Sequence, residues 1–254
     1  ELNTIGLINI QFALKNNTIY VIEVNPRASR TVPFISKVID LPLAKIAAKL
    51  AVGEKLKDMK LHTNNQNGLI AVKKPVFPFN KFPKQNVFLS PEMKSTGEVI
   101  GFDSHLGSAY AKAEIGAGNS LPLSGSVFIS VNDSDKVKAI TLARDFKELG
   151  FNIIATEGTA NLLTENGIEA KPIFKVGEGR PNVVDAIKNS EVQLVINTPL
   201  GAQSRFDEYK IGRSAIRYKI PAITTISGAQ AAVRGIRNIK TGSIQYRSLQ
   251  EVFT

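Results

Sequence analysis

From Ser126 onward, short runs of β-branched and aromatic residues alternate with longer segments whose apolar residues recur every three or four positions. No other feature constrains the fold as strongly. Val127 to Val131 reads as a strand. Asp133 or Ser134 can cap a helix whose buried stripe is Ala139, Leu142, Ala143, Phe146 and Leu149, up to Gly150. Phe151 to Ala155 is the next strand; Thr156-Glu157-Gly158-Thr159 breaks it before a short helix ending at Gly167. Further strands are expected at Val192 to Ile196 and Ala222 to Thr225. Strands alternating with helices imply an α/β fold, a parallel Rossmann-like sheet with helices on both faces. Ligands of such sheets bind beyond the carboxyl ends of the strands. Ser130, Thr156, Thr159, Lys175 and Asn197 fall at those ends, and Lys136 stands on the first helix. Thr-Glu-Gly-Thr alone reads as a tight turn with a cap. Beside four other strand ends, its hydroxyls and backbone N–H groups read as a phosphate cradle.

The first thirty residues carry a different pattern. Ile8, Ile10 and Phe12, then Tyr20, Ile22 and Val24, alternate with polar or small residues, the period of two half-buried strands. Glu23 and Asn25 then share a face. A three-residue loop of Asn16, Asn17 and Thr18 sets Gln11 opposite Glu23. Gln11, Glu23 and Asn25 bring oxygen donors of the kind Mg²⁺ takes at roughly 2.0–2.1 Å, with one or two carboxylates and phosphates filling the remaining positions. Pro26 stops the strand, and Arg27 and Arg30 follow with Ser29 and Thr31 beside them. Guanidinium forks bind phosphate or carboxylate oxygens, so the group suits a phosphoryl group in transfer. Without further context, Glu-x-Asn-Pro-Arg reads equally well as an exposed strand edge with a local ion pair.

Between these regions, Leu43, Ile46, Ala47 and Leu50 follow Pro42 at helical spacing until Gly53, with Lys45 and Lys49 facing outward. Asn64 to Gly68 marks an exposed loop. Leu69 to Val76 reads as a strand, followed by a Pro- and Phe-rich segment to Pro83 and a helix near Leu106 to Ile115. Gly116 to Gly125 reads as a linker.

At 254 residues the chain has room for two units at about 150 residues each. The expected division is 1–123 and 124–254. With no Cys there are no disulfides and no thiolate nucleophile, so any cysteine-dependent hydrolysis would have to occur in another chain. No apolar run approaches the roughly 20 residues a membrane span needs and no signal peptide stands at the start, so a cytoplasmic or organelle-stroma location is expected. A start without Met, directly before a strand, reads as the tail of something longer. The formal charge of +10 comes from scattered Lys and Arg, with no Trp and five Tyr. Small phosphorylated ligands fit that distribution better than nucleic acid does.

The string Val21-Ile22-Glu23-Val24-Asn25-Pro26-Arg27 resembles the end of the second ATP-grasp unit of the carbamoyl phosphate synthetase large subunit. The resemblance continues through Pro78-Phe79-Asn80-Lys81-Phe82-Pro83 and Pro91-Glu92-Met93-Lys94-Ser95-Thr96-Gly97-Glu98-Val99. The final 130 or so residues, with Lys175 to Pro181 as Lys-Val-x-Glu-Gly-Arg-Pro, resemble the methylglyoxal-synthase-like domain that binds regulatory nucleotides in that family. The resemblance implies a partial ATP-grasp lobe with Gln11, Glu23 and Asn25 on Mg²⁺ or Mn²⁺. It places Asn25, Arg27 and Arg30 in the phosphorylation of carbamate by ATP, and an effector of the UMP or IMP class at Ser130, Lys136, Thr156, Thr159, Lys175 and Asn197. It implies a glutaminase small subunit, bicarbonate, two ATP, a hetero-oligomer, and a place in pyrimidine and arginine synthesis.

Three departures matter. Methylglyoxal synthases have Gly-Gly-Asp where this chain runs Gly179-Arg180-Pro181, so the proton-abstracting carboxylate of a lyase is missing. Lys74 stands where members controlled by ornithine have Glu, which argues against a cationic effector. Pro199 replaces a Thr of some members and leaves the preferred nucleotide open. Neither a glycine-rich phosphate loop nor an adenine pocket is visible, so the chain alone is expected to be inactive. Two rivals remain: a free-standing nucleotide-binding regulatory module, and another carboxylate–amine ligase of the ATP-grasp superfamily, which gives no reason for the second domain.

Overall fold

The computed structural model describes residues 2–61, 68–81, 93–198, 204–242 and 244–252, with the side chains of 80 and 204–206 excepted. His62, the loop residues 64–67, Phe82, Pro83, Pro91, Glu92 and Pro199 lie outside the described residues. The chain forms two compact units, Glu1–Leu69 with Tyr246–Thr254, and Ile70–Gln245.

The first unit begins with a hairpin of β1 (Asn9–Lys15) and β2 (Thr18–Asn25). Its turn has two residues, not three. Asn16 and Asn17 both take positive φ, 49° and 61°, the left-handed pair that matches strand twist and that Asn tolerates. Lys15 pairs with Thr18, and a bulge between Gln11 and Phe12 shifts the register so that Gln11 still faces Glu23. The strands are also not half-buried. Phe12 is 56% and Ile22 59% exposed, because this sheet has two strands and nothing among the described residues covers either face. Two helices follow, α1 (Thr31–Val38) and α2 (Leu43–Ala51), joined through the Ser36 hydroxyl, which accepts from the Leu43 N–H at 3.0 Å. Ile46 is the buried apolar side chain of α2, and Lys45 and Lys49 are exposed as expected, with Lys49 paired to Glu54 at 3.1 Å. A short helix, Leu249–Val252, also belongs to this unit.

The second unit opens with antiparallel strands β3 (Ile70–Val76) and β4 (Gly97–Asp103), followed by α3 (Leu106–Gly116). Asp103 holds the turn into α3: its carboxylate pairs with Lys112 at 2.8 Å and accepts from the His105 N–H at 3.1 Å. Glu114 of α3 is only 2% exposed, yet its carboxylate meets the Lys74 ammonium at 2.5 Å and the Asn119 amide at 3.1 Å. Buried charges persist only when partnered in this way.

The βα rhythm then unfolds as β5 (Ser126–Val131), α4 (Lys136–Glu148), β6 (Asn152–Thr156), α5 (Glu157–Glu165), β7 (Lys171–Ile173), α6 (Val183–Lys188), β8 (Leu194–Thr198), α7 (Ser204–Arg217), β9 (Ala222–Ile223) and α8 (Ile226–Lys240). The strands form one parallel sheet in the order β7-β6-β5-β8-β9. Alternate residues face opposite ways. Val127 and Ile129 therefore join Leu142, Phe146, Leu163 and Ile236 of α4, α5 and α8, while Phe128 joins Val183, Ile187 and Ile211 of α6 and α7. Helices cover both faces, as the pattern predicted. α8 also packs closely on α3, where a Cβ on Gly107 would stand 2.6 Å from the Arg234 backbone, and Asn238 donates to the buried Ser108 hydroxyl at 2.8 Å. The β3–β4–α3 layer thus belongs physically with the parallel sheet, and Leu121 of the expected linker is in the core rather than in a loose tether. The compact units part at Leu69 and Ile70.

Candidate functional site

Strand order reverses between β5 and β8, so the crevice at their carboxyl ends is where this topology makes room for a ligand. Ser130 and Asn197 are paired residues of the two strands there, both half-buried. Two positions beyond Ser130, Asn132 fastens the strands together: its amide donates to the Thr198 carbonyl and hydroxyl, both at 3.1 Å, and to Asp135 at 2.8 Å. Asn132, rather than Asp133 or Ser134, caps the turn before α4, accepting from the Asp135 N–H. β8 runs two residues further than expected, which places Asn197 within the strand instead of after it.

On the other side of β5, β6 ends at Thr156, and α5 starts at the next residue. Thr156 occupies the cap position without using its side chain as a cap; its hydroxyl donates to that of Thr159 at 3.4 Å, and both are buried, at 7% and 2% exposure. The first turn of α5 therefore presents N–H groups that no cap side chain satisfies, the positive end of a helix that favours an anion. The two lysines are half-exposed and held by acids of their own loops. Lys136 pairs with Asp133 at 2.6 Å and Lys175 with Glu178 at 3.3 Å. Hydrogen bonding from Lys136 keeps the Asp133 carboxyl below its ordinary value. These are replaceable partners, since exposed ion pairs contribute little on their own.

Sequence reasoning passed over Asp207, on α7. Burial raises its carboxyl above the ordinary value, Glu178 pushes it the same way, and Lys210 and Lys175 oppose them. A sequence gives no signal that brings α7 to the Lys175–Glu178 loop. At 179–181 the chain has no acid; Arg180 is exposed, 3.9 Å from Asp185, and Asp185 is engaged in the cap of α6. A cavity of about 460 Å³ lies at the amino ends of β5, β6 and β7, lined among others by Lys147, Glu169, Lys171 and Glu191, away from the residues singled out above.

In the hairpin, Gln11, Glu23 and Asn25 share one face, as paired or alternate residues must. The Asn25 amide donates to the Glu23 carboxylate at 3.0 Å. This set offers one carboxylate and two amides, and no cluster of three His, Cys, Asp or Glu stands anywhere among the described residues. Such donors fit a hard cation that takes its other oxygens from phosphate and water, and do not fit a metal held by protein alone. Arg27 turns back on the chain, its guanidinium donating to the Ala28 carbonyl at 3.1 Å, and Arg30 occupies the cap position of α1. The two arginines thus flank a single turn immediately beyond β2.

Among the described residues no helix is long and apolar enough to cross a membrane. The family described as "Carbamoyl-phosphate synthase L chain, ATP binding domain" matches residues 1–59, and the "MGS-like domain" family matches residues 138–224. The carbamoyl phosphate synthase large chain of Archaeoglobus fulgidus is 54% identical over 98% of this chain and 23% of its own length. That of a Nostoc species is 48% identical over 99% and 23%. The carbamoyl phosphate synthase large chain, C-terminal section, of Aquifex aeolicus is 46% identical over 98% of this chain and 50% of its own. A solved methylglyoxal synthase from Elizabethkingia anophelis gives a TM-score of 0.36 at 17% identity, covering 44% of this chain and 79% of that one. The chain spans about a quarter of the length of the large chains it matches. Near-complete alignment at close to half identity or better, with both family matches in the expected order, leads to one conclusion: the chain belongs to the carbamoyl phosphate synthase large-chain family and corresponds to its C-terminal section.

Proposed function

We propose that this chain supplies two working parts of a carbamoyl phosphate synthase: metal and phosphate groups for the phosphorylation of carbamate by ATP, and a site for a regulatory nucleotide. The observation that carries the reading is the end-to-end alignment with large chains of a sequence whose hairpin register sets Gln11 against Glu23. Glu23, with Gln11 and Asn25, would hold Mg²⁺ or Mn²⁺. A divalent ion there would neutralise charge on the phosphates during transfer. Arg27 and Arg30 would orient the phosphoryl and acid groups through bidentate hydrogen bonds, so this chain's own contribution is positioning and charge stabilisation. In the whole enzyme, a glutaminase small subunit would deliver ammonia, bicarbonate and two ATP would be consumed, and the complex would work in the cytoplasm or an organelle stroma, feeding pyrimidine and arginine synthesis.

The regulatory half rests on Thr156 and Thr159 at an uncapped helix start, with Lys175, Lys136, Ser130 and Asn197 at the same end of the sheet. A nucleotide phosphate would take the α5 N–H groups and draw Lys136 and Lys175 from their loop acids. Calorimetric titration of the 254-residue chain with UMP and IMP tests this. Binding of at least one, lost in both Lys175→Ala and Thr159→Ala, is the expected result. Absence of binding, or binding indifferent to both substitutions, would remove the regulatory half.

A further inference from the structure

The cavity of about 460 Å³ lies at the amino ends of β5, β6 and β7, the end of the sheet opposite Ser130 and Thr156. That volume is of the size that takes a small molecule. Ile153, Ile154 and Ala170 give it an apolar lining, the two isoleucines being almost fully buried. Four charged side chains complete it. Lys147 comes from the last turn of α4, Glu169 and Lys171 from the entry into β7, and Glu191 from the loop before β8. They are joined as two ion pairs, Lys147–Glu169 at 3.1 Å and Lys171–Glu191 at 3.7 Å. Ion pairs between surface elements are ordinary and contribute little by themselves. These two line one cavity, so their charges are offered together to whatever enters it.

The rim is held by groups other than the ion pairs. The Gln193 side chain accepts from the Ser126 N–H and donates to the Ser190 carbonyl, both at 2.7 Å, tying the start of β5 to the loop that bears Glu191. Gly125, at φ 107°, is required for that tie, since a Cβ there would stand 2.1 Å from Gln193 Oε1. The Asn189 amide donates to the Glu191 carboxylate at 3.3 Å. The charged heads themselves are held more loosely: the Glu169 side chain is 92% exposed and that of Lys171 66%. A fixed rim with exchangeable ion pairs lets a ligand take up a charge without rebuilding the wall.

The balance of two cations and two anions selects the chemistry. A free phosphate would meet Glu169 and Glu191 as well as the lysines, and a polyamine would meet the lysines as well as the glutamates. A molecule with one carboxylate and one ammonium suits both pairs. Its carboxylate replaces a glutamate on a lysine, and its ammonium takes up the glutamate released, so no charge is left unmatched. We propose that this amino-end cavity binds a zwitterionic amino acid with an aliphatic side chain, the charged ends exchanging into the Lys147–Glu169 and Lys171–Glu191 pairs and the side chain lying against Ile153, Ile154 and Ala170. The site is separate from the phosphate reading of Thr156, Thr159 and Lys175 and does not depend on it.

Saturation-transfer NMR of the 254-residue chain with alanine, valine, leucine and isoleucine, each up to about 10 mM, tests for binding, and amide spectra of the labelled protein locate it. At least one should bind, moving the signals of Ser126, Asn152–Ile154 and Glu169–Lys171 and leaving those of Thr156–Leu163 in place. The amide of that amino acid, which lacks the carboxylate, and its N-acetyl derivative, which lacks the ammonium, should each bind about tenfold more weakly. Lys171→Met should abolish the advantage over the amide, and Glu191→Gln the advantage over the N-acetyl derivative. A merely structural role for either residue would weaken all three ligands alike, and that result would overturn the proposal. So would equal binding of the three by the wild-type protein, signal changes confined to Thr156–Leu163, or no binding of any of the four amino acids. UMP and IMP titrations of the same two variants should match the wild type, so the two sites stand or fall separately.

Discussion

The β1–β2 hairpin and the five-stranded sheet are built from the same alphabet of Ile, Val and Phe, yet they end in opposite environments. Phe128, Phe146 and Phe151 in the second unit are fully or almost fully buried, with Phe146 and Phe151 in edge-to-face contact at 5.6 Å, while Phe12, Val21 and Ile22 in the hairpin stand open to solvent. The parallel sheet is covered on both faces because each connection returns as a helix that packs on a face. The hairpin has a good turn and a matched register but brings no layer of its own. Local pattern is enough to make strands; burial requires a partner element, and within the described residues only the second unit has one on both faces.

The contrast is sharpened most by truncating one Phe on each side of it. Phe146→Ala should cost about 3–5 kcal/mol of the second unit's stability. Phe12→Ala should stay within about 0.5 kcal/mol, as an exposed position does. Urea denaturation of both variants, followed by far-UV circular dichroism, reads the difference directly. Comparable losses would mean that the hairpin is packed in solution and that the contrast is wrong.

A smaller effect is expected at the buried ion pair of the β3–β4–α3 layer. Lys74→Ala leaves the Glu114 carboxylate buried without its cation, which should cost about 3 kcal/mol, whereas the double variant Lys74→Met with Glu114→Met should recover most of it. Thermal unfolding of the single and double variants checks this. An innocuous Lys74→Ala would show that Asn119, Tyr110 and water suffice to satisfy Glu114.

The smallest effect concerns pH. Burial acts to raise the Asp103 carboxyl, but its hydrogen bond from Lys112, the His105 N–H and the nearby positive charges outweigh it, so the folded value lies below 3.8. A carboxylate lowered in this way contributes stability that is present above the unfolded value and lost as pH falls through the folded one. The second unit should therefore lose stability on acidification below 3.8, and Asp103→Asn should flatten that slope. Melting temperatures measured from pH 5 down to about pH 2.5 test the sign. A slope unchanged in the variant would assign the acid sensitivity to other groups.

The sequence made the parallel sheet and its site visible because βα alternation is a local signal and strand ends follow from it. Thr156, Thr159, Ser130 and Asn197 are at the same end of one sheet for that reason. Other parts were hidden for physical reasons. α8 buries Ile226, Ala229, Val233 and Ile236 at helical spacing, but Gly228 and Gly235 lower its helix propensity while permitting close packing, and α7 is rich in charge. α6 is a single capped stretch too short for periodicity. In the hairpin, the expected three-residue loop gave way to the Asn16-Asn17 turn, and the bulge at Gln11 and Phe12 restored the same Gln11–Glu23 pairing. A bulge leaves no mark in a pattern of period two. The exposure of the hairpin was equally illegible, since alternation reports which face could be buried and not whether anything is there to cover it. Asp207 was missed because its setting is made by the Lys175–Glu178 loop, which no spacing announces.

Amide hydrogen exchange of the 254-residue chain, followed by mass spectrometry with and without UMP or IMP, tests the contrast and the site together. The slowest exchange is expected in β5, β6 and β8, rapid exchange throughout Asn9 to Asn25, and added protection on nucleotide binding centred on Thr156–Leu163 and Lys175–Asn182, with Ser130, Lys136 and Asn197 responding as well. Strong protection of the hairpin, or nucleotide-dependent protection that avoids those two segments, would contradict it.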